Sequence, residues 1–135
     1  MKVILTSILV DNQDKALKFY TEVLGFIKKT EFPAGDAKWL TVVSPDSSND
    51  VEILLEPNWN PAIQIDGKLA AGEYQKMLLN AGIPVTTFGV DNTENEYERL
   101  KALGVKFTMP PTKMGPVTIA VFDDTCGNLI SIAHR

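Results

Sequence analysis

The stretch VDNQDKALKFYTEVLGF, Val10 to Phe26, decides the reading of this chain, because VDNTENEYERLKALGV, Val90 to Val105, repeats its pattern eighty residues later. In both copies a Val-Asp-Asn start offers a short side-chain oxygen to the free N–H groups of a first helical turn. A Leu-Gly pair then supplies the stop, since glycine adopts a left-handed C-cap without steric penalty. Between these signals Ala16, Leu17, Phe19, Tyr20, Val23 and Leu24 fall at helical spacing in the first copy, as Tyr97, Leu100 and Leu103 do in the second. The echo extends downstream. Lys38 to Pro57 (KWLTVVSPDSSNDVEILLEP) overlays Pro116 to Arg135 (PVTIAVFDDTCGNLISIAHR) without a gap, pairing Val43 with Val121, Asp46 with Asp124, Val51 with Leu129 and Leu54 with Ile132.

Working outward, Lys2 to Val10 is apolar and β-branched enough for a strand, and Phe26 to Phe32, Trp39 to Ser44 and Val51 to Glu56 read as three more, separated by turns at Pro33 to Asp36 and Pro45 to Asp50. The first copy is therefore βαβββ. A polar connector from Pro57 to Gly67 leads to an amphipathic segment, Leu69 to Ala81, that ends at Gly82 and predicts one extra helix. Pro84 to Val90 restarts the module, and Val105 to Met109, Val117 to Phe122 and Leu129 to Ala133 complete it, with Pro110 to Pro116 as a loop and Asp123 to Asn128 as a tight reversal. The expected organisation is one domain: a first module over 1–57, a connector over 58–82 and a second module over 83–135.

Composition sets the class. The chain has 135 residues, 44% of them hydrophobic and 22% charged, which suits one well-buried core. A net charge of -4 provides no basic stripe, so nucleic acid is not an expected partner. No apolar run is long enough to span a bilayer and the N-terminus leads straight into a strand, so no membrane partner and a cytoplasmic location are expected. Cys126 lies in a turn without the neighbours of a thiol nucleophile. GxSxG, P-loop and Cys-x-x-Cys motifs are absent.

Two βαβββ modules with coinciding turn residues resemble the vicinal oxygen chelate superfamily, which includes glyoxalase I, extradiol dioxygenases, fosfomycin-resistance proteins and bleomycin-resistance proteins. The resemblance is carried by Ala16-Leu17-Lys18-Phe19-Tyr20 with Val23-Leu24-Gly25-Phe26, similar to an opening "FY..vLGF" helix, and by Phe122-Asp123-Asp124 with Gly127-Asn128-Leu129-Ile130, similar to a closing "F.DP.GN" turn. It implies an α+β fold in which the two modules form a curved mixed sheet around a cleft, and a homodimer.

In metal-dependent relatives a divalent ion is held by one His, Gln or Glu from each module's first strand and a Glu or similar residue from each last strand. Counting from the repeat puts these positions at Leu5, Ile53, Val85 and Ser131. Three are aliphatic and one is a neutral hydroxyl, a poor donor set for a hard or borderline ion, so no metal and no cofactor are expected. Glu52 and Glu56 lie close by on the same strand, and His134, the sole histidine, stands second from the C-terminus and reads as a surface residue.

Alternation along the strands would turn Leu5, Ser7, Ile53, Leu55, Val85, Thr87, Ser131 and Ala133 into the cleft. Trp39, Trp59 and Met114 are added as candidate contacts, because aromatic faces stack on planar ligands and Met adapts to irregular ones. The expected function is binding of a small, partly apolar molecule, similar to bleomycin-resistance proteins, without catalysis. The alternative is a divergent glyoxalase- or dioxygenase-like lyase, isomerase or oxidoreductase with a non-standard metal site or none.

Overall fold

The computed structural model describes residues 1–46 and 51–135. The chain divides into two compact units, Met1–Gln75 and Lys76–Arg135. The first contains β1 (Leu5–Val10), α1 (Gln13–Lys18), β2 (Ile27–Ala34), β3 (Ala37–Val43) and β4 (Glu52–Pro57). A small hairpin, β5 (Gln64–Ile65) and β6 (Lys68–Leu69), leads into α2 (Ala70–Asn80), within which the division falls. The second unit continues with β7 (Thr86–Gly89), α3 (Thr93–Ala102), β8 (Phe107–Met114), β9 (Val117–Asp123) and β10 (Leu129–His134). The fold is α+β, with two four-stranded mixed sheets of orders β1-β4-β3-β2 and β7-β10-β9-β8. In each the first and last strands of the module run parallel and the other pairs antiparallel.

The helix signals act as the sequence predicts. Asn12 Oδ1 accepts the Lys15 N–H at 2.9 Å and Asn92 Oδ1 the Asn95 N–H at 2.8 Å, each satisfying a free donor of a first helical turn. α1 then widens into one π-helical turn, Phe19–Val23, that buries both Phe19 and Tyr20, and Gly25 closes it at φ +88°. The buried Gln13 fastens α1 to its sheet. Its Nε2 donates to the carbonyls of Lys38 and Leu55, both at 2.8 Å, and its Oε1 accepts the Lys38 N–H at 3.0 Å. Thr93 has the same task in the second unit, where its Oγ1 donates to the Thr118 carbonyl at 2.8 Å and its N–H to His134 Nδ1 at 2.8 Å. His134 is therefore half-buried and tied to the start of α3 rather than a free surface residue.

Each sheet buries one face beneath its helix. In the first unit this face carries Ile8, Val10, Leu40, Val42, Ile53 and Leu55. In the second it carries Ala120, Phe122, Ile130 and Ile132, with Phe107 packed edge-on between Tyr97 and Phe122 at centroid distances of 4.6 and 5.6 Å. These layers are the cores, where removal of apolar surface from water supplies most of the stabilisation.

Several boundaries differ from the sequence reading. β2 runs on through Pro33 and Ala34 to a tight turn at Gly35-Asp36, and β8 runs through Met114 to Gly115-Pro116, so the segment expected as a loop from Pro110 is strand. Both turn glycines sit at φ +64°, a left-handed conformation that glycine tolerates best. Prolines at 33, 110 and 111 are accommodated because β2 and β8 are edge strands that need not donate outward. The turn expected at Pro45 to Asp50 lies partly outside the described residues.

The gapless overlay of the two modules is also corrected. Leu5 corresponds to Val85, Gly35 to Gly115 and Ala37 to Val117, but eight residues separate Val43 from Glu52 while only five separate Asp123 from Leu129. The second module's turn is shorter because the buried Asp124 organises it. Asp124 Oδ1 accepts the N–H groups of Cys126 and Asn128 at 2.8 and 3.0 Å, Oδ2 accepts Asn128 Nδ2 at 2.7 Å, and Thr125 takes φ +64°. Ser131 consequently matches Leu54, not Ile53.

Candidate functional site

Most of the candidate site residues lie on the sheet faces turned away from the helices. In the first unit β1 pairs with β4 so that Leu5 stands beside Glu52, Thr6 beside Ile53 and Ser7 beside Leu54. Paired residues share a face. Leu5 and Ser7 thus belong with Glu52, Leu54 and Glu56, and with Trp39, Thr41 and Val43 of β3. The expectation that Ile53 and Leu55 join them is corrected: at 7% and 0% exposure they lie in the core under α1. The cause is the shorter second turn, since a one-residue error in register turns a strand over.

Trp39 is 36% exposed and stacks on Phe32, with ring centroids 6.3 Å apart and planes inclined by 16°. On the same face, at the start of β4, Glu52 Oε1 accepts the hydroxyls of Thr41 and Thr30 at 2.7 and 3.4 Å, and Oε2 lies 3.7 Å from Lys29 Nζ. Trp59 stands apart from this face. It is half-buried and lines a recess of about 390 Å³ at the start of α1 with Asp11, Gln13, Pro33, Asp36 and Lys38. On the neighbouring edge Glu31 accepts Lys28 Nζ at 2.8 Å and Lys38 Nζ at 3.3 Å. These contacts, the one from Lys28 foremost, hold its carboxyl below the usual carboxylate range.

In the second unit the face away from α3 gathers Val85, Thr87, Ser131 and Ala133, together with Met109, Met114, Val117, Ile119 and Val121. Met114 is the last residue of β8 and is 56% exposed beside Val117. The Ser131 hydroxyl is engaged: Oγ accepts from Thr87 Oγ1 at 3.1 Å and donates to the Thr86 carbonyl at 3.3 Å. A groove of about 540 Å³ runs along this face, floored by Gly89, Val117, Ile119 and Ala133 and rimmed by Thr87, Asp91, His134 and Arg135.

The sequence profile of the Glyoxalase/Bleomycin resistance protein/Dioxygenase superfamily matches residues 2–132. The chain belongs to this superfamily. YurT of Bacillus subtilis (strain 168) is 56% identical to it over the full length of both chains. Among solved structures, UcmS2 superposes with a TM-score of 0.83 at 33% identity, covering 98% of this chain and 97% of that one. TnmS3, described as an antibiotic binding protein from Streptomyces sp. CB03234, superposes with a TM-score of 0.75 at 24% identity over 100% of this chain and 96% of its own, a likeness of fold.

The residues at the superfamily's metal-ligand positions do not fit a metal ion. Counted from the resemblance and set in the observed strand register, these positions fall at Leu5, Leu54, Val85 and Ser131. Aliphatic carbon has no lone pair, and the one hydroxyl already has two partners. Glu52 and Glu56 share a face but stand four residues apart on one strand, so their Cα atoms are about 13 Å apart. Among the described residues, no three His, Cys, Asp or Glu side chains come together where they could hold a metal ion.

The sequence reading missed Gln13, Thr93 and the groove. Nothing in a local pattern marks a glutamine just after a helix cap as the bond between helix and sheet. A buried amide or hydroxyl at the same place in both modules is the only available signal.

Proposed function

We propose that this protein binds a small, partly apolar molecule without a metal ion and without transforming it. The observation that carries the proposal is the donor set: Leu5, Leu54 and Val85 are aliphatic where a metal-dependent relative offers ligands, Leu5 and Val85 with apolar surface exposed, and the hydroxyl of Ser131 is held by Thr87 and the Thr86 carbonyl. Apolar surface there favours ligand burial at about 25 cal/mol per Å². The description of TnmS3 as an antibiotic binding protein supports the same reading. A cytoplasmic homodimer completes the proposal. Pairing of two copies would cover apolar side chains that the single chain leaves exposed, among them Leu5, Phe32, Trp39 and Met114.

One observation favours the second reading, an enzyme of the glyoxalase or dioxygenase kind. Glu52 sets a carboxylate on the face away from α1, beside Leu5. Its contacts with Thr30, Thr41 and Lys29 support a structural role instead.

Native mass spectrometry before and after addition of Zn, Ni, Mn and Fe(II) salts tests the proposal. Unmetallated particles of two chains, unchanged by the salts, are expected. One tightly held ion per chain contradicts it, and a particle of one 14.9 kDa chain contradicts the dimer.

A further inference from the structure

The two modules carry the same row of positions across the face away from their helices, filled very differently. In the first module the row is Leu9 on β1, Glu56 on β4, Trp39 on β3 and Phe32 on β2; Leu9 pairs with Glu56 and Trp39 with Phe32. In the second module it is Gly89, Ala133, Ile119 and Thr112, with Gly89 paired to Ala133, Ala133 to Ile119 and Ile119 to Thr112. Every member is smaller in the second module. The 540 Å³ groove lies over this emptied row, floored by Gly89, Ala133 and Ile119.

Backbone geometry does not require Gly89. Its φ lies outside the left-handed range and a Cβ built on it meets no atom within 4 Å, so a larger residue would fit. Glycine at the end of β7 gives up packing and costs stability, and close approach of a ligand to the backbone is one use of such a glycine. The rim differs as well. Asp11 of the first module is paired with Lys15 at 3.0 Å, whereas its counterpart Asp91 has Asn95 at the equivalent place.

We infer that the groove over Gly89, Ala133 and Ile119 is the slot for a planar, fused-ring aromatic group of the ligand, with Asp91 and Thr87 as its hydrogen-bonding edge. The inference rests on the binding function proposed above and assigns it to one module. A sheet face stripped to Gly and Ala is flat at backbone level, the shape that a ring system covers best, and the volume lies within the usual 300 to 1,000 Å³ of small-molecule sites.

The test is fluorescence titration of the full chain with three fused-ring probes, one cationic and two anionic: 9-aminoacridine, 1-pyrenebutyrate and 1-anilinonaphthalene-8-sulfonate. Gly89→Leu, which restores the first module's residue, is expected to weaken the tightest probe by at least about tenfold through loss of buried apolar contact. Ala133→Leu should do the same, and Trp39→Ala less than about threefold. Thermal melting of Gly89→Leu at or above the wild-type temperature shows that the fold is retained. Probe affinity unchanged in both filling variants, or lost only in Trp39→Ala, overturns the slot while leaving the binding function standing. Failure of wild type to bind any of the three probes overturns the slot and removes support for the binding function.

Discussion

Ile53→Ala tests the strand register on which the site assignment depends. Ile53 is 7% exposed and lies on the α1 side of β4 with Leu55, beside Thr6 and diagonal to Ile8. Truncation removes three carbons from a packed layer. At about 0.8 kcal/mol per buried carbon the transfer cost is roughly 2.4 kcal/mol, and incomplete collapse of the cavity raises it to about 3–4 kcal/mol. For a chain of this size each kcal/mol moves the melting temperature by roughly 3 °C, so a fall near 10 °C is expected by differential scanning calorimetry. Affinity for the tightest planar probe, measured well below the transition, should stay within about twofold, because the side chain points away from the face turned from the helix. Leu5→Ala, on that face and 37% exposed, should cost less than about 1 kcal/mol. If Ile53→Ala melts like Leu5→Ala, or lowers affinity without lowering stability, the register and the face assignment drawn from it are wrong.

Gln13→Ala removes three hydrogen bonds between α1 and its sheet and is expected to cost about 2–4 kcal/mol in urea denaturation, leaving the Lys38 N–H without its partner. Asp124→Ala opens the short turn of the second module by deleting the acceptor of two backbone N–H groups and of Asn128 Nδ2, and should cost a similar amount by thermal melting. Glu31 titrates below the usual carboxylate range because Lys28 and Lys38 bond its charged form, so its contribution to stability is present above the unfolded-state pKa and is lost as pH falls through the folded one. Carbon-detected NMR titration should show this, and Lys28→Ala should move the Glu31 midpoint upward.

The fold was legible because helix caps, helix stops and turn glycines are local devices: Asn12 with Gly25 and Asn92 with Gly104 fix two helices whatever surrounds them. β1 and the four central strands, β3, β4, β9 and β10, followed from apolar runs. The positions Leu5, Val85 and Ser131 were readable by counting from those anchors. Ile53 was not, because its place depends on the length of the turn before β4, and the buried Asp124 that shortens the matching turn is only a plain Asp-Asp pair in sequence. The groove was invisible for a related reason. Gly89 looks like an ordinary weak point in a strand until β7 is paired with β10 and Ala133 proves to be its neighbour. His134 read as a terminal surface residue because its partner, the Thr93 N–H, lies 41 positions away in sequence.

Metal-independent ligand binding is the central claim, and titration of the tightest planar probe into the chain after exhaustive chelation, repeated with equimolar Zn, Ni, Mn and Fe(II), tests it most directly. One dissociation constant across all conditions is the predicted result. Binding that disappears on chelation and returns with one equivalent of a single metal would contradict the account.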